Sequence, residues 1–271
     1  MALISTENTR VFIFGILGNI CTFVVFMAPI PTFYRIWKKK STEGFQSLPY
    51  LATLFSSMLW VYYASLKSGV FLLITINSFG CLIETIYIAF YITYAPTKAR
   101  MSTLMLLFLL NFMGFSVIFL LSHFLAKEST RLQVLGWICM IFSLAMYVAP
   151  LNIMRSVIRS NSVEFMPFYL SLFLTINAIA WLFYGLFLKD SYVAIPNILG
   201  FIFGLLQLVL YGIYRNKSKS VMVEGAQLPQ QSIDMTIRSP ITLTSEEQNV
   251  VDQSGKVKES FDSNPIIASQ V

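Results

Sequence analysis

The sequence predicts an all-α membrane protein with seven transmembrane helices, arranged as two parallel three-helix repeats joined by a linker helix. Three observations predict it. Apolar residues make up 56% of the 271-residue chain and charged residues 12%, against roughly 25% charged in soluble domains. Seven apolar windows each reach the length of about 20 residues that crosses a bilayer. The first three windows match the last three at an offset of about 121 residues.

The windows cover 11–34, 45–66, 70–94, 101–125, 132–154, 165–188 and 191–214. Six contain no Asp, Glu, Lys or Arg, and the third contains only Glu84. Within the repeat, MAPIPTFYRI at 27–36 aligns with VAPLNIMRSV at 148–157, and KSTEGF at 40–45 aligns with NSVEFM at 161–166. Trp60 falls opposite Trp181, Asn77 opposite Asn197, and Gly80 opposite Gly200. Residues 8–96 therefore form the first repeat, 101–125 the linker helix and 132–216 the second repeat. An odd number of spans per repeat means that the linker must reverse the chain for the second copy to enter with the same topology. Parallel repeats of this kind occur in transporters that bind substrate between the halves, near the membrane midplane.

Cations flanking the windows set the orientation by the positive-inside rule. Eleven lie on one side: Arg35, Lys38, Lys39, Lys40, Lys98, Arg100, Arg155, Arg159, Arg215, Lys217 and Lys219. Five lie on the other: Arg10, Lys67, Lys127, Arg131 and Lys189. The amino terminus is expected outside and the carboxyl terminus in the cytosol. Residues 218–271 turn polar and acidic, with Pro229, Pro240 and Pro265, and read as a disordered cytosolic tail. The first window lacks a basic leader and a cleavage site, so no cleavable signal peptide is expected.

Composition and motifs exclude several classes. Basic residues sit in short loops between spans, which disfavours nucleic-acid binding. Cys21, Cys81 and Cys139 lie in apolar windows without metal or redox spacing, and His123 is the single histidine. No metal or cofactor is expected. The seventh window has no Lys for a retinal Schiff base, and no GxSxG, HExxH or phosphate-binding loop appears. A seven-helix receptor or scaffold without net transport remains the alternative class.

Polar residues inside spans are costly and usually face the bundle interior. Asn77 and Asn197 occupy matching positions, and each carboxamide offers both donors and an acceptor, the complement of a hydroxyl. The alternative role for both is hydrogen bonding between helices. Trp60 and Trp181 offer flat faces for a pyranose ring, or serve in core packing or at the lipid interface. Ser56 and Asn177 precede them by one turn, on the same helix faces. Pro29, Pro49, Pro150 and Pro167 fall in the first and second spans of the two halves. They are expected to kink those helices, as hinges or as static bends. Glu84 either relays protons or stands neutral and hydrogen-bonded.

These residues sit in segments that resemble the plant SWEET (MtN3/saliva) family over about residues 8–216. The carrying segments are FGILGN at 14–19, APIPTFYRIWKKKSTEGFQSLPY at 28–50, INSFGCLIETIY at 76–87, GWICMIFSLAMYVAPLNIMR at 136–155, SVEFMPFYLSLFLT at 162–175 and AIPNILGF at 194–201. The resemblance implies a bidirectional sugar uniporter without energy coupling and without enzymatic activity. It implies a substrate pocket at Ser56, Trp60, Asn77, Asn177, Trp181 and Asn197, with Val25 and Met146 setting its width and Thr22 and Ser143 one turn away. It also implies a proline tetrad at Pro29, Pro49, Pro150 and Pro167, and an extracellular gate pair at Tyr63 and Asp190. The sequence is most similar to the sucrose-carrying branch, often found at the plasma membrane. Met146 and Asn177 depart from that branch by narrowing the site, which keeps hexoses such as glucose as substrates. The expected partners are the sugar and the lipid bilayer, with assembly into a homo-oligomer left open by the sequence.

Overall fold

The computed structural model describes residues 6–125, 127–163 and 166–227. The order of elements is α1 (Thr6–Met27), α2 (Ile30–Lys39), α3 (Leu48–Leu66), α4 (Phe71–Tyr94), α5 (Thr97–Leu106), a π-helical segment (Leu107–Gly114), α6 (Phe115–Leu125), α7 (Glu128–Ala145), α8 (Val148–Ser160), α9 (Phe168–Phe187) and α10 (Ser191–Gln227). The described residues are helices and their connections, without strands. The last helix runs past residue 218, where the tail was expected to begin, and the rest of that expected disordered segment lies outside the described residues.

Among the described residues, six stretches are long and apolar enough to cross a membrane: 9–39, 71–94, 97–124, 130–160, 168–187 and 191–215. The seventh predicted span is α3, 19 residues long. It is less apolar because it carries Tyr50, Thr53, Ser56, Ser57, Tyr62 and Tyr63. A helix flanked by α4, α7 and the linker span exposes little surface to lipid, so it tolerates those groups.

The two repeats embrace reciprocally. Helix α1 of the first packs on α9 of the second, and α7 of the second packs on α3 of the first. Phe14 meets Phe183 across the former contact, and Phe55 meets Phe142 across the latter. Reciprocal contact between equivalent elements is the signature of two like units about one axis.

Two glycines set how closely these helices approach. A Cβ on Gly18 of α1 would lie 2.8 Å from the Trp181 ring, and one on Gly185 of α9 would lie 2.8 Å from the backbone nitrogen of Ala194 in α10.

The proline breaks follow from one missing donor each. Pro29 removes the N–H that would reach the Val25 carbonyl, and Pro150 the one that would reach Met146. In both places a tighter turn refills the acceptor: Ala28 N–H donates to Val25 O (3.1 Å), and Ala149 N–H donates to Met146 O (3.4 Å). Each first span is thereby split in two, α1 from α2 and α7 from α8. For Pro49 and Pro167 the expected internal kink is corrected. Pro49 is the second residue of α3 and Pro167 immediately precedes α9, positions whose N–H groups have no intrahelical acceptor to lose.

The linker span is tied to α3 along its length. Ser47 and Thr103 share a buried hydroxyl bond of 2.7 Å, Asn111 Nδ2 donates to Leu51 O (3.3 Å), and the hydroxyls of Tyr62 and Ser122 lie 3.0 Å apart.

Helix contact at the glycines predicts the cost of filling them. Gly185→Ala, whose methyl meets backbone that cannot rotate away, is expected to lower stability by about 1–3 kcal/mol. Gly212→Ala, with nothing within 4 Å of its Cβ, leaves it unchanged or slightly raised. Thermal unfolding in detergent micelles reads both.

Candidate sugar site and gate

A cavity of about 280 Å³ lies between the repeats, at the small end of ligand pockets, which run about 300–1,000 Å³. Nine of the ten sequence-predicted pocket residues line it: Thr22, Ser56, Trp60, Asn77, Ser143, Met146, Asn177, Trp181 and Asn197. Val25 does not. It lies in the last turn of α1, where its carbonyl closes the tight turn, and its neighbour Phe26 lines the cavity.

Hydrogen bonding separates the asparagines that hold helices together from those free to bind. Asn19 is fully engaged: its Nδ2 donates to Gly15 O and Leu72 O, both 2.9 Å, and its Oδ1 accepts from the Thr75 hydroxyl at 2.9 Å. Asn77 and Asn197 each spend a single N–H on the carbonyl one turn back, Leu73 O (2.8 Å) and Val193 O (2.7 Å). That bond fixes the amide's direction. It leaves Oδ1 and the second N–H of each without a partner among the described residues, on the cavity wall.

The tryptophans are oriented across the repeat interface. Trp181 Nε1–H donates to Thr22 Oγ1 (2.9 Å), and the repeat-equivalent Trp60 Nε1–H donates to Ser143 Oγ (3.3 Å). The Thr22 hydroxyl donates onward to Asn177 Oδ1 (2.7 Å), a bond with no counterpart at Ser56. Each indole also meets a tyrosine edge-on, Trp60 with Tyr63 at 5.5 Å and Trp181 with Tyr184 at 5.1 Å. One wall of the cavity is thus held by a chain of two hydrogen bonds and the other by one.

One end of the site is shut. The Tyr63 hydroxyl donates to Asp190 Oδ2 (2.8 Å), and both side chains are buried, at 0% and 2% exposure. Lys67 Nζ, unnoticed in the sequence except as a loop cation, also donates to Asp190 Oδ2 (2.6 Å). Asp190 Oδ1 accepts from the backbone N–H groups of Tyr192 and Val193 (3.0 and 3.3 Å), so the same carboxylate caps α10. The repeat-equivalent arrangement does not exist. Tyr184 matches Tyr63, but the positions matching Lys67 and Asp190 hold Leu188 and Val70, and the buried Tyr184 hydroxyl has no hydrogen-bond partner among the described residues.

At the other end the lining residues Thr53 and Met146 sit one turn from Pro49 and Pro150. Phe26 and Tyr147, a repeat-matched pair, also line the cavity; aligning the repeats at that offset would have found them. Glu84 is buried on α4 outside the lining, and its Oε2 has no hydrogen-bond partner.

Two repeats of three helices enclosing a polar, aromatic-walled cavity define a membrane transporter. The family model described as a sugar efflux transporter for intercellular exchange, MtN3_slv, matches residues 12–99 and 133–219. The chain belongs to this SWEET family of transporters, not to an enzyme family. It is 56% identical over 249 residues to the bidirectional sugar transporter SWEET11 of Arabidopsis thaliana, covering 89% of this chain and 86% of that protein. It is 63% identical to SWEET13 of the same plant, over 78% and 72% of the two chains. A solved structure of a eukaryotic SWEET transporter superposes with a TM-score of 0.75 at 39% identity, covering 78% of this chain and all of that one.

The broken symmetry at the Tyr63–Asp190 contact makes a paired prediction. Tyr63→Phe removes a buried bond to a carboxylate and is expected to destabilise by about 1.5–3 kcal/mol. Tyr184→Phe removes a hydroxyl with no partner and leaves stability unchanged or raised. Unfolding midpoints of the two variants in the same detergent compare them directly.

Proposed function

We propose that the protein is a facilitative, bidirectional uniporter that carries sucrose and hexoses such as glucose across the plasma membrane by alternating access. The observation that carries this reading is the pair of half-committed carboxamides, Asn77 and Asn197, facing one cavity that is walled by two tryptophans. A sugar hydroxyl both donates and accepts, and each amide has one acceptor and one donor left for it. The indole faces stack on the apolar face of the ring. The amino terminus is outside and the carboxyl terminus cytosolic, supported by the excess of cations at the ends away from Tyr63 and Asp190. Names of the relatives, bidirectional sugar transporters, support the direction of the reading.

Transport follows from the two ends of the cavity. The gate joins the repeats at one end through Tyr63, Lys67 and Asp190. Sugar bound between the amides is released when that gate parts and the opposite end closes, with the helix breaks at Pro29 and Pro150 as the places where backbone bends at least cost. No ion gradient is needed, because the sugar's own gradient drives the cycle.

Proteoliposomes loaded with labelled sucrose or glucose test this reading. Saturable flux in both directions is expected, with at least a tenfold loss in Asn77→Ala and Asn197→Ala, in line with deletion of a buried bond to substrate. Binding without flux in folded protein would assign the chain to a receptor class. Met146→Val enlarges the cavity and is expected to raise the sucrose-to-glucose flux ratio. Thr22→Val, which breaks two bonds in the wall, lowers flux more than Ser143→Ala, which breaks one.

A further inference from the structure

The repeats differ most sharply in charge on their cytosolic first-span halves, α2 and α8. In α2 two of the three cations are occupied, Lys38 having no partner among the described residues. Arg35 and Lys39 both pair with Glu43, and Lys39 with Arg35 holds that carboxyl below the usual carboxylate range. Lys40 lies over the rings of Trp37 and Tyr94. In α8 the positions matching Arg35 and Lys39 are Ser156 and Ser160. The charges have moved one residue back, to Arg155 and Arg159, where α2 has Tyr34 and Lys38. One residue is about 100° around a helix, so the guanidinium groups leave the loop face and turn toward α10.

There they line a groove of about 530 Å³, larger than the sugar cavity. Its floor is Leu151, Met154 and Ile158 of α8 with Leu206, Val209 and Leu210 of α10. Neither arginine has a hydrogen bond or ion pair among the described residues. The repeat-equivalent groove between α2 and α4 is lined by Ile30, Phe33, Tyr34, Trp37, Ile86 and Phe90 among others, with no cation. Two arginines one turn apart at the cytosolic end of an apolar, lipid-facing groove have one natural complement in that environment. An acyl chain fits the floor, and a phosphate accepts from planar guanidinium donors.

We infer that the α8–α10 groove is a binding site for one anionic glycerophospholipid of the cytosolic leaflet, with its phosphate on Arg155 and Arg159 and an acyl chain along α10. The leaflet rests on the orientation proposed above; the site does not rest on sugar transport. The lipid holds α8 past the Pro150 break, its headgroup at the far end of that helix and its acyl chain toward the break, and only the second repeat has the site.

Native mass spectrometry of the full chain in detergent, titrated with phosphatidylserine or phosphatidylcholine of the same acyl composition, tests it. Phosphatidylserine adducts are expected on wild type at lower lipid concentration than phosphatidylcholine adducts. The preference should fall about tenfold or more in R155Q/R159Q, survive in R155K/R159K, and survive in R35Q/K39Q. Leu206→Trp, which fills the groove, should also weaken it. Equal binding of the two lipids by wild type overturns the site, and needs no variant. So does an undiminished preference in R155Q/R159Q, displacement by soluble glycerophosphoserine as effective as by the lipid, or a lipid-independent oligomer that R155Q/R159Q dissociates, which would give the groove to a second copy of the chain.

Discussion

A chain in hydrocarbon has to satisfy its polar groups from within itself, and this constraint decides where it can keep a binding site. Most polar side chains in the spans are spent on structure. Asn19 uses its whole carboxamide to join α1 to α4, and Ser47, Asn111 and Tyr62 fasten the linker span to α3. Where the repeats face one another, Asn77 and Asn197 keep an acceptor and a donor unspent on the cavity wall. A single backbone bond aims each of those amides. Without it they would rotate freely and lose the ordering entropy that a pre-set site saves on binding.

Duplication explains the frame, and departures from it explain the function. Equivalent positions build the reciprocal packing of α1 on α9 and α7 on α3, the two tryptophans, and the two refilled turns at Pro29 and Pro150. Transport needs one end closed while the other is open, which a perfectly repeated chain does not specify side chain by side chain. Here the closing contact is written once. Tyr63 of the first repeat meets Asp190 of the second, while the Tyr184 hydroxyl has no partner among the described residues and the position matching Asp190 holds Val70. One carboxylate makes that contact and also caps α10, so parting the contact acts directly on the start of the last span. The same departure from symmetry places an asparagine at 177 where its mate is Ser56, and it stiffens one wall through Thr22.

Much of this was legible in the residues. Seven apolar windows, the repeat and nearly all the pocket followed from periodicity, matched pairs and the segments shared with the SWEET family. What was not legible depended on where helices begin. Pro49 and Pro167 lie within apolar windows, yet hydropathy does not show that the helix starts beside them, so an interior kink was expected where none exists. Val25 matches Met146 in sequence and in its turn, but of the two only Met146, with the longer side chain, reaches the wall. Lys67 read as one more loop cation, because its partner Asp190 is 123 residues away. The uncommitted atoms of Asn77 and Asn197 could not be told from the fully bonded Asn19, since all three are asparagines in apolar helices. Only the bond count separates them.

The central claim is that the repeats move against each other about the cavity, opening one end as the other closes. Spin labels placed at the exposed positions Ser68 and Lys189 report on the gate end, and labels at Gln46 and Tyr169 report on the proline end. Pulsed dipolar distances would be measured with and without saturating sucrose in nanodiscs. Rocking repeats predict opposite changes, the gate distance lengthening in the population in which the proline distance shortens. Distances that change together, or a gate distance that stays fixed while sugar is transported, would contradict alternating access through this cavity.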